Sequence, residues 1–474
     1  MIGGPAKLPA LLAIALCAVT GCASVERVKT LVSGPSSPYL SGYIGEVAGD
    51  EPRAVLVARD ILARGGDAAD AAAALGMSLS VTLPSRASLG AGGACLAFDA
   101  GTRAAPDAIL FTPVAGAGGV AADRPASVPM LARGLFLLQA RHGRVGFDEL
   151  TRPAAGLARN GITVSRALAE DLAQVHGPLL ADPGARAIFG GGGDRVPVAG
   201  DKLVQPQLAT TLDHIALLGV GDFYTGALAG TFVAGAQAAS GGLGAQAMRG
   251  ALPTSREPLV LEQAPVRIAF LPPPADGGLA AAAAFKGLQG GGDAVRLSTD
   301  AAAAWRAAHP RPDNTARLTA QAQAALDATP AGTGSLDRLP ASTSFTVLDR
   351  SGNAVACALS MDNLFGTGRV AGETGVVLGA SPARLPLPLL AAAIAWDTGH
   401  RFRAAVAGSG QVQAAAAVAG GLQDALDNRA PPVRPHTTTG RANVISCARG
   451  LPGDAASCAG GTDPRGAGLA VGSN

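Results

Sequence analysis

The sequence predicts an α+β protein built of closely stacked layers, and three observations carry that prediction. The 474 residues are 48% hydrophobic but only 4% aromatic, with 65 glycines and a visible excess of alanine. A core of Ala, Val and Leu lets layers approach closely. "AVLVARDILARGGDAADAAAALGMSLSVTLP" reads as two helices, the second with alanine on nearly every face, which suits burial between layers. "FTVLDRSGNAVACAL" alternates apolar residues on both sides of a turn, as a β-hairpin does. The length suffices for one large or two medium domains. A formal net charge of +2 without a basic run argues against a nucleic-acid partner.

The chain opens "MIGGPAKLPALLAIALCAVTGCASVERVKT". Lys7 precedes an apolar run from Leu8 to Val19, shorter than the roughly 20 residues of a membrane-spanning helix. Residues 1–21 therefore read as a secretory signal. Val19-Thr20-Gly21-Cys22 resembles a bacterial lipobox, which implies cleavage before Cys22 and lipid on its thiol. Several acyl chains would anchor the chain firmly in a membrane. Ala23, rather than Asp, after the cysteine points to the outer membrane, facing the periplasm. Residues 22–40 are polar and rich in Gly, Ser and Pro, a tether.

The elements follow in order. Asp67 caps the second helix after Gly65-Gly66, and Pro84 stops it. "SLGAGGACLAFD" reads as a glycine loop and a strand, Ala94–Asp99. Residues 124–182 are helical, with a turn at Gly143 and a break at Gly161. Another helix starts at about Pro206, and "GDFYTGALAGTFVAGAQ" is a turn and a helix whose Phe223 and Tyr224 are core contacts. "PVRIAFLPPPADGGLAAAAAFKGLQGG" gives strand, proline-rich loop and alanine helix. Residues 296–341 run from Ala-rich to Gly/Pro/Ser/Thr-rich and end in a flexible loop. In the hairpin, a three-residue loop Arg350-Ser351-Gly352 sets Ser342 opposite Ser360, with both hydroxyls on one face. "FRAAVAGSGQVQAAAAVAGGLQDAL" reads as strand, glycine turn and helix. Backbone N–H groups at such a helix start can hold an anion or oxyanion. Gln413 at the third glycine position excludes a dinucleotide fingerprint, and no cofactor is expected.

Of the six cysteines, Cys447 and Cys458 share one short stretch and are the expected disulfide of an exported chain. Cys95 and Cys357 lie in apolar strand-like runs and are expected as buried thiols. The histidines lack metal-ligand spacing, so no metal is expected. Asp463-Pro464-Arg465 reads as a structural turn closed by an ion pair.

The order of motifs resembles the gamma-glutamyltransferase family. The resemblance runs from about Gly42 to the C-terminus through "GGDAADAAAAL", "LGAGGACLAFD", "SVPMLARGLFLLQARHGRVGFDELTRPAAGLARNGITVS", "GDKLVQPQLATTLDHIALLGVGDFYTGALA", "PPPADGG" and "GGTDPRGAGLAVG". It implies a four-layer αββα sandwich of the N-terminal nucleophile hydrolase type. It also implies a precursor that cuts itself, here between Ala341 and Ser342. Residues 41–341 would then be the large-subunit region and 342–474 the small-subunit region. Ser342 takes the nucleophile's place, Thr343 matches a second threonine, and Ser344 replaces a histidine. Ser360 takes the place of a supporting threonine, Asp362 that of an asparagine, and Glu373 the family's acidic position. Gly410-Gln411 falls where the family has the glycine pair of its oxyanion hole. A serine hydroxyl activated by its own α-amino group is competent for this chemistry.

Substrate recognition departs from the pattern. Thr112 stands where the family has the arginine that holds the glutamyl carboxylate, and a hydroxyl does not replace a bidentate guanidinium. Gly379–Leu385, with Ala383 near the key acid, and "PLPLL" lack the expected amine and carboxylate contacts. Two expectations follow. One is an amide hydrolase or transferase with altered recognition of a small γ-glutamyl or other amide. The other is an inactive envelope lipoprotein that serves as a scaffold or binding module.

Overall fold

Small side chains allow two sheets and their helices to stack with little between them. A computed structural model describes residues 1, 3, 39–116, 122–191, 195–310, 316–328, 334–336, 341–429 and 434–472. The signal, the lipobox with Cys22 and nearly all of the tether lie outside the described residues, as does part of the loop before Ala341. The chain divides into two units, Met1–Leu40 and Ser41–Asn474, and every strand and helix described belongs to the second.

The strands of the two large sheets are β1 (Gly45–Gly49), β2 (Gly92–Phe98), β3 (Asp107–Phe111), β4 (Thr254–Arg256), β5 (Leu259–Gln263), β6 (Val266–Phe270), β7 (Ser342–Asp349), β8 (Ala354–Ser360), β9 (Ala391–Asp397), β10 (Phe402–Ser409), β11 (Arg441–Leu451), β12 (Cys458–Thr462) and β13 (Leu469–Gly472). The first sheet runs β13-β1-β7-β8-β2-β3-β4, and the second β12-β11-β10-β9-β6-β5. Neighbouring strands in both are antiparallel.

Alternation along the strands sorts the core into three slabs. From the first sheet, Val47, Cys95, Phe345, Val347 and Leu359 face helices, among them Ala68–Thr82, Leu131–His142 and Phe147–Asn160. Their in-between neighbours Ala48, Ala94, Leu96, Ala356 and Ala358 face the second sheet, meeting Ala392, Ile394, Ala405 and Ala407. On the far side, Ile268, Phe270, Ala393 and Val406 pack under the helices Gly277–Leu288, Ala294–Ala308 and Ala414–Leu426. This is the four-layer αββα sandwich. Ala68–Thr82 is buried at every residue, as its all-round alanine pattern requires. Its start is closed by a capping box between Asp67 and Asp70.

The hairpin forms as its turn chemistry predicts. Arg350-Ser351-Gly352 closes it, and Gly352 takes φ +92°, a left-handed position that favours glycine. Ser342 is then paired with Ser360. Cys447 and Cys458 face each other across β11 and β12 and are bonded. The free-thiol expectation for Cys95 and Cys357 is overturned. They lie directly opposite on β2 and β8, with Cα atoms 4.1 Å apart, and form a second disulfide. Opposite residues share a face, so their Cβ atoms are within bonding reach. A sequence separation of 262 hides that pairing.

Candidate active site

The site is built where four strand ends of the first sheet line up. Ser342 begins β7, Ser360 ends β8, Gly92 begins β2 and Phe111 ends β3. Ser342 pairs with Ser360, Ser360 with Gly92, and Phe111 with the adjacent Gly93. Ser342 and Ser360 are both buried. The Ser360 hydroxyl donates to the carbonyl oxygen of Ala341 at 2.7 Å and accepts from the Asp362 backbone N–H at 2.9 Å. A donor therefore points at the carbonyl of the peptide that joins Ala341 to Ser342.

The start of β7 is held by a buried polar network. Asp50, just past β1, accepts from the Thr343 hydroxyl at 3.1 Å and the Ser344 N–H at 3.0 Å. Asn443 on β11 donates to Asp50, to Ser344 Oγ and to the Ser344 carbonyl, at 2.8 to 2.9 Å. The Ser344 hydroxyl also reaches the Ala407 carbonyl on β10 at 3.2 Å, which ties the two sheets together. Asp50 is 293 residues from Thr343, so only the fold could reveal this anchor.

Two residues beyond Ala407, β10 gives way to the turn at Gly410-Gln411. Gly410 takes φ +108° and Gln411 φ +58°. Asp362 has φ +57°. Positive φ is costly for residues with a side chain and concentrates at functional positions. The loop 437–440 braces the Gly410 turn. Gln413 accepts from Thr438 and Thr439, and Arg465, paired with Asp463 at 2.6 Å, donates to the carbonyls of Thr437, Thr438 and Gly440. Asp463-Arg465 is thus the structural turn the sequence suggested.

Asp362 is fully buried, and neither of its carboxyl oxygens has a partner among the described residues. Burial pushes this carboxyl up to about 9, against the opposing pull of the Arg306 charge, so it is protonated at neutral pH.

Beside the strand ends lies a cavity of ≈ 510 Å³. Thr112 lines it, and so do Pro382, Pro386 and Leu387 from the stretch that carries the other altered recognition positions. The serine pair, Asp362 and Thr112 therefore lie at the same end of the first sheet, with Thr112 on the cavity and the serine pair and Asp362 outside its lining. Glu373 does not join them. It is exposed on the short turn Gly372–Thr374, which packs on the helix Ala227–Ala238. Sequence reasoning missed Arg306 and Asp276, which also line the cavity. Asp276 lies within the quoted "PPPADGG" stretch and Arg306 in no recognisable motif, and they meet only because the helix that follows Asp276, Gly277–Leu288, packs against Ala294–Ala308. Among the described residues no group of His, Cys, Asp or Glu is arranged to hold a metal.

The αββα sandwich, with a hydroxyl at the start of the central strand β7, defines an N-terminal nucleophile hydrolase fold. Residues 54–327 match the sequence profile of the gamma-glutamyltranspeptidase family, and the chain belongs to that family. The match stops short of Ser342. The chain is 28% identical over 380 residues to the glutathione hydrolase proenzyme of Escherichia coli, covering 70% of this chain and 65% of that protein. The cephalosporin acylase of Bacillus halodurans shares the fold, with a TM-score of 0.69 at 18% identity over 93% of this chain and 99% of that one. The gamma-glutamyltranspeptidase of Helicobacter pylori superposes with a TM-score of 0.53 at 23% identity, over 62% and 94%.

Proposed function

We propose that this chain cleaves itself between Ala341 and Ser342 and then acts as an amide hydrolase or transferase with Ser342 as nucleophile. One observation carries the reading: the Ser360 hydroxyl donates to the Ala341 carbonyl at 2.7 Å. That is the carbonyl the Ser342 hydroxyl would attack. In the first step Ser342 Oγ bonds to the Ala341 carbonyl carbon, its proton passes to the Ser342 nitrogen, and the C–N bond breaks. Water then hydrolyses the ester, leaving an Ala341 carboxylate and a free Ser342 amine. The Ser360 donor favours the charge that develops on the carbonyl oxygen.

Once free, the Ser342 α-amino group has an ordinary value of about 7.7–8.0 and can take the proton of its own hydroxyl as that oxygen attacks a substrate amide. The N–H groups at the head of the Gly410-Gln411 turn are the proposed oxyanion donors, because the first N–H groups of such a turn lack partners within it. Water completes hydrolysis, and an amine completes transfer. The substrate class is small amides, with γ-glutamyl recognition altered through Thr112 and the Pro382–Leu387 segment. The N-terminal segment supports an envelope lipoprotein anchored through Cys22. Sequencing the N-termini of the purified protein tests the cleavage, and a single intact chain would sink it in favour of an inactive scaffold.

A further inference from the structure

Arg306 gives the cavity beside the strand ends a charged group, fixed by an ion pair, whose bonding capacity is not exhausted. Arg306, on the helix Ala294–Ala308, donates Nε–H and Nη2–H to the two carboxylate oxygens of Asp276 at 2.6 and 2.9 Å. Its Nη2 also reaches the Leu387 carbonyl at 2.9 Å. These bonds use three of the five guanidinium donors. Among the described residues Nη1 has no hydrogen-bond partner, although Arg306 lines the cavity. The side chain is 22% exposed and that of Asp276 6%. The bidentate pair holds the guanidinium plane, so its remaining edge is set before any ligand arrives.

Charge then limits what that edge can select. Asp276 already offsets the Arg306 charge and is the one carboxylate among the described lining residues. Asp362, within electrostatic reach of Arg306, is neutral by burial. Among the described lining residues there is no second carboxylate to balance a ligand's ammonium group and no second guanidinium or ammonium to await its carboxylate. His309 also lines the cavity, with its Nδ1 3.1 Å from the Trp305 carbonyl oxygen. The remaining wall is mainly apolar, with Phe111, Met130, Trp305 and Pro386 among its residues, and Thr112 and His309 add a hydroxyl and an imidazole.

The strand ends lead from Ser342 to this cavity in three steps, across Ser360 and Gly92 to Phe111. At about 4.8 Å per strand that is roughly 14 Å. From these placements we infer that the cavity is the acyl-binding pocket and that the free edge of Arg306 anchors it. The ligand class is an amide whose acyl group is mainly apolar and carries one neutral carbonyl acceptor, with no charged α-amino or carboxylate group. This inference rests on Ser342 being the nucleophile, but its test does not need turnover.

Binding of three probes is measured by calorimetry on the wild-type protein. They are 4-oxo-4-phenylbutanamide, 4-phenylbutanamide, which lacks the ketone, and glutamine, the plain γ-glutamyl amide. The ketone probe is expected to bind at least roughly tenfold tighter than the other two, as a hydrogen bond to a charged donor allows. Removing both charges together, as Arg306→Met with Asp276→Leu, avoids leaving one buried and unpaired. In that variant the advantage of the ketone disappears. Arg306→Lys keeps a charge on Asp276 but loses the planar second edge, so it reduces the advantage too. Equal wild-type binding of the two phenyl probes overturns the inference, as does tighter binding of glutamine or a ketone advantage that survives both variants. If the binding pattern holds while no cleavage or turnover is found, the proposed function fails alone.

Discussion

The Ser360 hydroxyl lies 2.7 Å from the carbonyl oxygen of Ala341 and donates to it. The bond spans 19 residues and exists because the Arg350-Ser351-Gly352 turn sets Ser342 opposite Ser360. If the peptide is cut by Ser342, that donor stabilises the transition state. Ser342→Ala is then expected to remain one chain. Ser360→Ala should process on the order of 100-fold more slowly, the usual cost of losing one oxyanion donor. Ser360→Thr should retain much of the rate. Band intensities on denaturing gels over time measure all three.

The disulfide between Cys95 and Cys357 bridges the proposed cut, since one cysteine precedes Ser342 and the other follows it. The processed protein should therefore migrate as one species without reductant and as two fragments with it. Replacing both cysteines with alanine should let the fragments separate in denaturant alone. It should also cost about 2–5 kcal/mol of stability by chemical denaturation. Separation of the wild-type fragments without reductant would contradict the pairing.

Asp362 gives a pH dependence with a definite sign. Its folded value is raised to about 9 by burial, well above the unfolded carboxylate value of about 3.9. Between those limits the folded state binds more protons than the unfolded state. The group's contribution is therefore fully present below about pH 4 and is lost as pH rises towards 9. Asp362→Asn, always neutral, should melt higher than wild type at pH 8, with the gap shrinking as pH falls to 5. Parallel melting curves at both pH values would refute an uncharged Asp362.

Arg86 and Asp171 form a bidentate pair at 2.7 Å, and Ser85 also donates to Asp171. Their side chains are 15% and 4% exposed. The pair pins the helix Arg166–Leu180 to the Pro84–Ala87 turn. Asp171→Ala leaves a largely buried cation unpaired, so a loss of about 3–5 kcal/mol is expected in urea unfolding.

Turnover of a γ-glutamyl anilide by the processed protein should be weak or absent, because the described residues that line the cavity, Thr112 among them, include no guanidinium besides Arg306 and no carboxylate besides Asp276. Robust γ-glutamyl turnover in a release assay would overturn this reading of the pocket.

Much was legible in the sequence because it depended on short-range chemistry. Turn residues and strand alternation placed Ser342 against Ser360, and the Gly65-Gly66 break followed by Asp67 marked the start of a helix with no exposed face. Cys447 and Cys458, 11 residues apart, were a recognisable pair. Cys95 with Cys357, Asp50 with Asn443 and Arg306 with Asp276 were not. Each joins separate elements of the fold, and no local preference encodes which strand lies beside which. Sequence alone thus fixed the layered fold and the position of the hydroxyl at the head of β7. Only the stacking of the sheets and the packing of the Ala294–Ala308 helix decided which groups surround it, because those contacts are set by burial in three dimensions rather than by spacing along the chain.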